Sequence, residues 1–286
     1  MEINGMTRTC GLIGNPVGHT MSPFLHDRLA GKTNENLVYV PLLVQTGQLK
    51  EAVAGAYALN FLGCNVTIPY KTDVLSFLKE IDPLAERIGA VNTLVRIEGG
   101  WKGYNTDMPG LYRAMRRDGV VIEGEQVVIL GAGGVARAVA MMLAEKGAKR
   151  IWILNRTTEK AQAIAGEINR LFDQRPAEAL ALQDYAALKK EGFFLAIQAT
   201  NVGMYPDTEK AVIEDADFYS MIHTGYDLIF NPRRTRFMEL VNLSGGRAFD
   251  GLRMLLYQGV IAFELWTGKD IDDRAADEIY EQMCLL

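Results

Sequence analysis

Lys71 closes the run GCNVTIPYK (Gly63 to Lys71), two residues after Pro69 and at the expected start of a helix over Lys71–Leu78. A cation is disfavoured there, because the helix dipole is positive at its N-terminus. Such a lysine is tolerated rather than stabilising, so either it serves a function or it is an ordinary solvated side chain. Asp107, within GYNTDMPG (Gly103 to Gly110), could pair with a lysine or could simply cap the helix that it opens. Ketone reduction by hydride needs a proton donor at the carbonyl oxygen, and alcohol oxidation needs a base at the same place. A lysine–aspartate pair can serve both directions. Thr20 and Ser22, in GNPVGHTMSPFLH (Gly14 to His26), offer two hydroxyls just before a proline-initiated helix. Near helix N–H groups they suit a carboxylate ligand, although either one alone could be an N-cap. Asn65 and Thr67 lie along one face of a strand by its period of two, and Asn92 and Asn105 add amides. His19 and His26 read as loop and helix packing residues, and His223 as a surface residue.

A second group of residues points to a dinucleotide. In VVILGAGGVARAVAMML (Val127 to Leu143) a buried strand ends at Gly131, and Gly131-x-Gly133-x-x-Ala136 opens a helix. The first glycine permits a tight turn, the second lets backbone N–H groups approach a pyrophosphate, and the small third residue lets helix pack on strand. A plain glycine-rich turn is the alternative. Folds that prefer NAD usually carry an acidic residue at the end of the second strand, about 20 residues past the glycines. Here that strand ends in Asn155-Arg156-Thr157, with Lys160 one turn on. No carboxylate opposes a 2′-phosphate, and a guanidinium with a hydroxyl could hold one. NADP(H) is therefore expected, with NAD as the weaker alternative. No metal is expected.

Stepping along the chain, helical and strand patterns alternate, which favours parallel sheets with crossover helices and an α/β fold. Strands are expected at Thr9–Ile13, Val38–Leu42, Gly63–Thr67 and Asn92–Ile97, and helices at Pro23–Leu29, Gln48–Leu59 and Pro83–Ile88. Glu98-Gly99-Gly100 reads as a turn, and a helix follows near Met108–Asp118. The second run of alternation gives helices at Val135–Lys146 and Glu159–Leu171, with a soft polar stretch over Leu171–Glu178. Past about Gly246 the pattern is helical only (Leu252–Thr267 and Asp273–Cys284). The expected division is 1–109 for a substrate-binding domain, 110–246 for a Rossmann-like nucleotide domain, and 247–286 for helices that return to the first domain.

Composition narrows the class. The 286 residues are 49% apolar and 23% charged, which suits a globular chain and argues against disorder. A net charge of −5 and a pI near 5.4 disfavour non-specific attraction to nucleic acid or an anionic membrane. Cys10, Cys64 and Cys284 form no CxxC pair, so neither a disulfide framework nor a multi-cysteine zinc site is expected. The opening MEINGMTRTC has no apolar core of signal-peptide length, and Met254–Trp266 is shorter than the ~20 residues of a membrane span. The expectation is a cytoplasmic protein, with no nucleic-acid or membrane partner.

The segments GNPVGHTMSPFLH, GCNVTIPYK, GAVNTL, GYNTDMPG, GAGGVARA, NRT, ATNVGM (Ala199–Met204), YDLIFNP (Tyr226–Pro232) and DGLRMLLYQG (Asp250–Gly259) occur in this order. Through them the chain resembles the shikimate dehydrogenase family, including its quinate/shikimate dehydrogenase members, over essentially its whole length. The resemblance implies NADP-dependent interconversion of 3-dehydroshikimate and shikimate in aromatic amino-acid biosynthesis, with quinate as an alternative substrate. It implies Lys71 as general acid/base with Asp107 as its hydrogen-bonded partner, and Thr20 and Ser22 on the substrate carboxylate. Asn65, Thr67, Asn92, Tyr226 and Gln258 match substrate contacts. Gly131, Ala132, Gly133, Gly134, Val135 and Ala136 match the phosphate loop, and Asn155, Arg156, Thr157 and Lys160 the adenosine phosphate site. Thr200, Met204 and Gly251 fall to the cofactor, the last two beside the nicotinamide. A homodimer is an open alternative.

Thr20 stands where the family commonly has Ser, Met21 where Lys is frequent, and Lys160 where Arg is frequent, which bears on substrate breadth and on the margin of NADP over NAD. Folate-linked methylene dehydrogenases also join a lysine-bearing domain to a Rossmann domain, but lack the loop that carries Thr20 and Ser22. A non-catalytic sensor of pathway intermediates is the remaining alternative. The presence of both Lys71 and Asp107 speaks against it.

Overall fold

The computed structural model describes residues 2–286. The first elements are β1 (Arg8–Gly14), α1 (Ser22–Thr33), β2 (Leu37–Leu43), α2 (Leu49–Ala58), β3 (Gly63–Val66), β4 (Glu80–Ile81), α3 (Pro83–Ile88), β5 (Thr93–Ile97), β6 (Gly100–Tyr104) and α4 (Asp107–Arg117). There follow β7 (Gln126–Leu130), α5 (Gly134–Glu145), β8 (Arg150–Asn155), α6 (Thr158–Leu171), β9 (Ala177–Ala181), β10 (Phe194–Gln198), α7 (Ala216–Tyr219) and β11 (Ile222–Asp227). The chain ends with α8 (Arg236–Leu243), β12 (Arg247–Phe249), α9 (Leu252–Thr267) and α10 (Asp273–Met283). The elements form two compact units: residues up to Leu111 together with Leu255–Leu286, and the contiguous stretch Tyr112–Met254. Both passages between units fall inside helices, α4 and α9.

The first unit is built on a six-stranded sheet of order β2-β1-β3-β5-β6-β4. β1 runs parallel to β2 and β3, whereas β3–β5 and β5–β6 are antiparallel. Gly99, at φ +76°, makes the tight β5–β6 turn. The C-terminal helices complete this unit. Trp266 Nε1 of α9 donates to Leu94 O at 2.9 Å, and a Cβ on Gly63 would stand 2.0 Å from that nitrogen. Arg28 Nε of α1 donates to Gln282 Oε1 of α10 at 2.9 Å, and Lys32 pairs with Glu278.

Beneath this packing lies His26, wholly buried, its ring stacked on Tyr39 at 4.2 Å and tilted against Trp266 at 5.1 Å. Neither ring nitrogen has a hydrogen-bond partner among the described residues. Burial pulls the imidazole down to about 3. An unfolded histidine titrates near 6.5. Between these two values the unfolded chain binds a proton that the folded chain refuses, so stability falls as pH drops through that window. At pH 5 this linkage amounts to roughly 2 kcal/mol. His26→Phe keeps an aromatic ring and removes the site, so the difference in Tm between pH 7 and pH 5 should shrink. An unaltered difference would assign the acid sensitivity to other groups.

The second unit carries a wholly parallel sheet of order β12-β11-β10-β7-β8-β9. Its central strands VVIL, IWIL and FLAI are continuous apolar runs because helices cover both faces of such a sheet. On one face Trp152 and Phe194 meet edge to face at 5.2 Å, in a core with Phe218, Tyr219 and Phe237.

The structure departs from the sequence reading in three places. Lys71–Leu78 is not an α-helix: Lys71 sits in a turn, followed by a 3₁₀ turn over Asp73–Phe77. The Lys71 carbonyl is taken by Val91 N at 2.8 Å, and Ser76 Oγ donates to Asp73 O at 2.9 Å, so side chain and sheet compete with helical bonding. Past Gly246 the chain is not only helical. β12 pairs with β11, which places residues 247–254 in the second unit. The soft stretch over Leu171–Glu178 runs into an edge strand, β9, through its pairing with β8. Among the described residues no helix is long and apolar enough to cross a membrane.

Candidate active site

Lys71 Nζ donates to Asp107 Oδ2 at 2.8 Å, with the two side chains 33% and 20% exposed, so the pair is open to a ligand without being fully solvated. Asp107 Oδ1 accepts from Asn92 Nδ2 at 2.9 Å. The second Asn92 N–H goes to Thr106 Oγ1 at 3.0 Å, and Asn92 Oδ1 accepts from Thr106 N at 2.7 Å. The aspartate is thus oriented from both sides. Capping of α4 falls instead to Asn105, whose Oδ1 accepts from Asp107 N at 3.1 Å and Met108 N at 3.4 Å. Of the two roles the sequence allows Asp107, its carboxylate takes the partnership with lysine.

Beneath the pair runs a buried polar chain. Asn65 is 4% exposed and donates to Asn92 O at 3.1 Å and Thr93 Oγ1 at 3.0 Å, while its Oδ1 accepts from Tyr39 OH at 2.8 Å. Thr93 and Thr106 hydroxyls lie 3.1 Å apart. All of the Asn65 amide is engaged within the protein, so here it braces Asn92 from below. Thr93, Thr106 and Tyr39 were not legible as site residues: the threonines follow asparagines already singled out, and Tyr39 sits in an apolar strand.

Thr20 and Ser22 stand together at the start of α1. Thr20 Oγ1 accepts from Ser22 N at 3.2 Å and donates to Ser22 Oγ at 3.1 Å. The N-cap Met21 supplies no side-chain cap and the first turn holds no acidic residue, so the positive helix end can face an anion. Thr67 follows the end of β3, and Gly14 makes room for it, since a Cβ there would lie 2.3 Å from Thr67 Cγ2. Gln258 on α9 is fixed by Gly110 of α4, where a Cβ would approach Gln258 N to 2.7 Å, and its Nε2 donates to Leu255 O at 2.9 Å.

In the second unit, Gly131 takes φ +111°, a conformation that favours glycine, and the N-cap Gly133 is extended with no side-chain cap. A Cβ on Gly133 or Gly134 would meet nothing within 4 Å, Val135 is half exposed, and Ala136 is wholly buried. Twelve-residue α5 has no acid in its first turn. An uncapped positive helix end behind an open glycine loop fits a pyrophosphate. Past β8, Asn155 Nδ2 donates to Thr157 O at 2.9 Å. Arg156 and Lys160 are exposed and enter no ion pair among the described residues, so both cations are available to a phosphate. Met204 is 45% exposed, and Gly251 is required as glycine because a Cβ would lie 2.3 Å from Leu228 O. Tyr226 is placed otherwise than a ligand-facing residue: it is wholly buried, its hydroxyl donating to Asp118 Oδ2 at 3.0 Å, with Arg253 Nε 2.8 Å from Asp118 Oδ1. Among the described residues no group of His, Cys, Asp and Glu could hold a metal ion.

Comparison with known proteins identifies the family. Residues 12–94 match the shikimate dehydrogenase substrate binding domain, 114–211 match shikimate / quinate 5-dehydrogenase, and 251–283 match the shikimate 5′-dehydrogenase C-terminal domain. The shikimate dehydrogenase (NADP(+)) of Desulforamulus reducens is 41% identical over 268 residues, covering 93% of this chain and 92% of that protein. The crystal structure of shikimate 5-dehydrogenase from Listeria monocytogenes in complex with shikimate and NAD is 34% identical, with a TM-score of 0.90, covering 99% of this chain and 98% of that one. A crystal structure of a shikimate dehydrogenase in complex with NADP+ is 37% identical, with a TM-score of 0.88, covering 99% and 97%. With a lysine–aspartate pair in one unit, a glycine loop opening a helix in the other and family matches along most of its length, the chain belongs to the shikimate dehydrogenases, a family of oxidoreductases.

Proposed function

We propose that the chain catalyses the reversible NADPH-dependent reduction of 3-dehydroshikimate to shikimate, with Lys71 as general acid/base. The Lys71–Asp107 contact at 2.8 Å carries this reading. In the direction of reduction the Lys71 ammonium gives a proton to the carbonyl oxygen as that oxygen gains charge. In oxidation the neutral amine takes the proton from the hydroxyl. Asp107, fixed by Asn92, holds the lysine in line and stabilises its charge. Thr20 and Ser22, at the uncapped start of α1, receive the substrate carboxylate. Thr67 and Gln258 stand in the same unit for the ring hydroxyls, while the Asn92 amide, engaged by Asp107 and Thr106, orients the aspartate. The dinucleotide, when bound at the Gly131–Ala136 loop, supplies the hydride. A cytoplasmic location is supported by three free thiols. Initial rates with shikimate and with quinate, each against NADP⁺ and NAD⁺, test the assignment. Shikimate with NADP⁺ should give the highest kcat/KM.

Arg156 and Lys160 are the groups proposed to read the 2′-phosphate. A charge-assisted contact of that kind is worth on the order of 1.5–3 kcal/mol, or roughly tenfold to a hundredfold. Arg156→Ala should therefore raise the KM for NADP⁺ by that factor and leave the KM for NAD⁺ almost unchanged. Equal effects on both would show that Arg156 does not read the phosphate.

A further inference from the structure

The loop Ala199–Met204 is organised from beneath by one buried amide. Gln198, the last residue of β10, is wholly buried. Its Oε1 accepts from Thr200 N at 2.6 Å and Thr200 Oγ1 at 2.7 Å. Its Nε2 faces only acceptors: Val202 O at 3.1 Å, Thr200 O at 3.3 Å and Asp227 Oδ1 at 3.3 Å. Turned over, the amide would set its hydrogens against donors and its oxygen against acceptors, so the surroundings fix its orientation. Asp227, its register partner on β11, is itself wholly buried, held by Thr235 Oγ1 at 2.6 Å and Ile229 N at 3.0 Å.

Thr200 is the outlet of this network. Its hydroxyl donates to Gln198 and accepts from Val202 N at 3.1 Å, so both hydrogen-bonding directions are engaged within the protein. Its methyl group lies against the phosphate loop: a Cβ on Gly131 would stand 2.7 Å from Thr200 Cγ2. The buried carboxylate therefore reaches the strained first glycine of the loop through two side chains, Gln198 and Thr200.

We propose that Gln198 and Asp227 are positioning residues for the dinucleotide, holding Thr200 against Gly131 so that the phosphate loop keeps its binding shape. Thr200 then acts through this packing and not through a bond from its hydroxyl to the cofactor. The proposal rests on the reading of Gly131–Ala136 as the dinucleotide loop. The phosphate loop serves the part of the dinucleotide that NADPH and NADH share, so loosening it must weaken both, in contrast to Arg156→Ala.

The test is equilibrium binding of NADPH and of NADH to the full chain, by calorimetry or nicotinamide fluorescence, for Gln198→Leu, Thr200→Val and the double variant. Each single substitution should raise both dissociation constants by about tenfold. The double variant should lie within about threefold of the weaker single, because both remove the same bond. In steady state the loss should fall on the KM of both cofactors more than on kcat. Unchanged cofactor affinity in a folded Gln198→Leu, a roughly hundredfold additive loss in the double variant, or a loss confined to NADPH would each overturn the proposal. Should Gln198→Leu fail to fold, Thr200→Val, which is nearly isosteric, must by itself show the tenfold loss for both cofactors or the proposal falls. A wild-type chain that binds neither dinucleotide would overturn the loop reading itself, before any variant is made.

Discussion

Lys71→Ala is expected to fold, to bind shikimate nearly as wild type does, and to turn over about 10²–10⁴-fold more slowly. The fold does not need this ammonium: the part of Lys71 that the sheet uses is its main-chain carbonyl, bonded to Val91 N at 2.8 Å. The substitution leaves Asp107 with its Asn92 bond and with access to water, so no charge is stranded in the core. In the proposed binding mode the substrate rests mainly on Thr20, Ser22, Thr67 and Gln258, which the substitution does not touch. What disappears is proton transfer at the reacting oxygen, a contribution made in the transition state, and such a loss falls on kcat rather than KM. Steady-state rates in both directions measure it. A kcat within about threefold of wild type would remove Lys71 from acid/base duty.

Asp107→Asn should lower kcat/KM by about 10²-fold or more while leaving the fold intact. Stability is spared because Asn105, not Asp107, caps α4. An asparagine can still accept from Asn92, but any rotamer that does so turns its own N–H groups toward the lysine, setting donor against donor. The substitution also takes the opposite charge from beside the Lys71 ammonium, 2.8 Å away. Steady-state kcat/KM together with a thermal melt reads activity and fold side by side. Turnover close to wild type would return Asp107 to a purely structural role.

The residues proposed to carry this chemistry could be picked out because each sits in a run whose neighbours conflict with a plain structural explanation. Lys71 is one case: the helix expected to begin there suggested an unfavourable cation, and although the helix is absent the lysine still meets Asp107. The glycine loop proposed for the dinucleotide could be picked out because strand, glycines and helix each have their own period and stereochemistry, and they coincide at Gly131. Fold class followed from the same alternation. Much less could be seen of what lies beneath. Gln198 and Asp227 are buried and polar at the ends of apolar strands, and a strand pattern does not show that two such ends meet in register. Likewise the family resemblance implies Asn65 as a substrate contact, yet Tyr39 and Thr93 take its amide from strands remote in sequence. Short elements such as β4 and β12 exist only through their partners, which local propensity cannot supply.

The seat of Trp266 beside Gly63 sets an order of assembly during synthesis. A chain leaving the ribosome exposes β1 through β6 long before α9 arrives, and Trp266 lies 172 residues beyond the Leu94 carbonyl that it closes. The contiguous stretch Tyr112–Met254 is released whole in that interval, so the nucleotide unit is the first that can be completed. Until then the catalytic sheet waits with an apolar face bare, the kind of surface that chaperones hold and proteases sample. Translation that stops short of Trp266 therefore yields a nascent chain with a finished nucleotide unit and an unfinished catalytic one, marked for quality control from its N-terminal half.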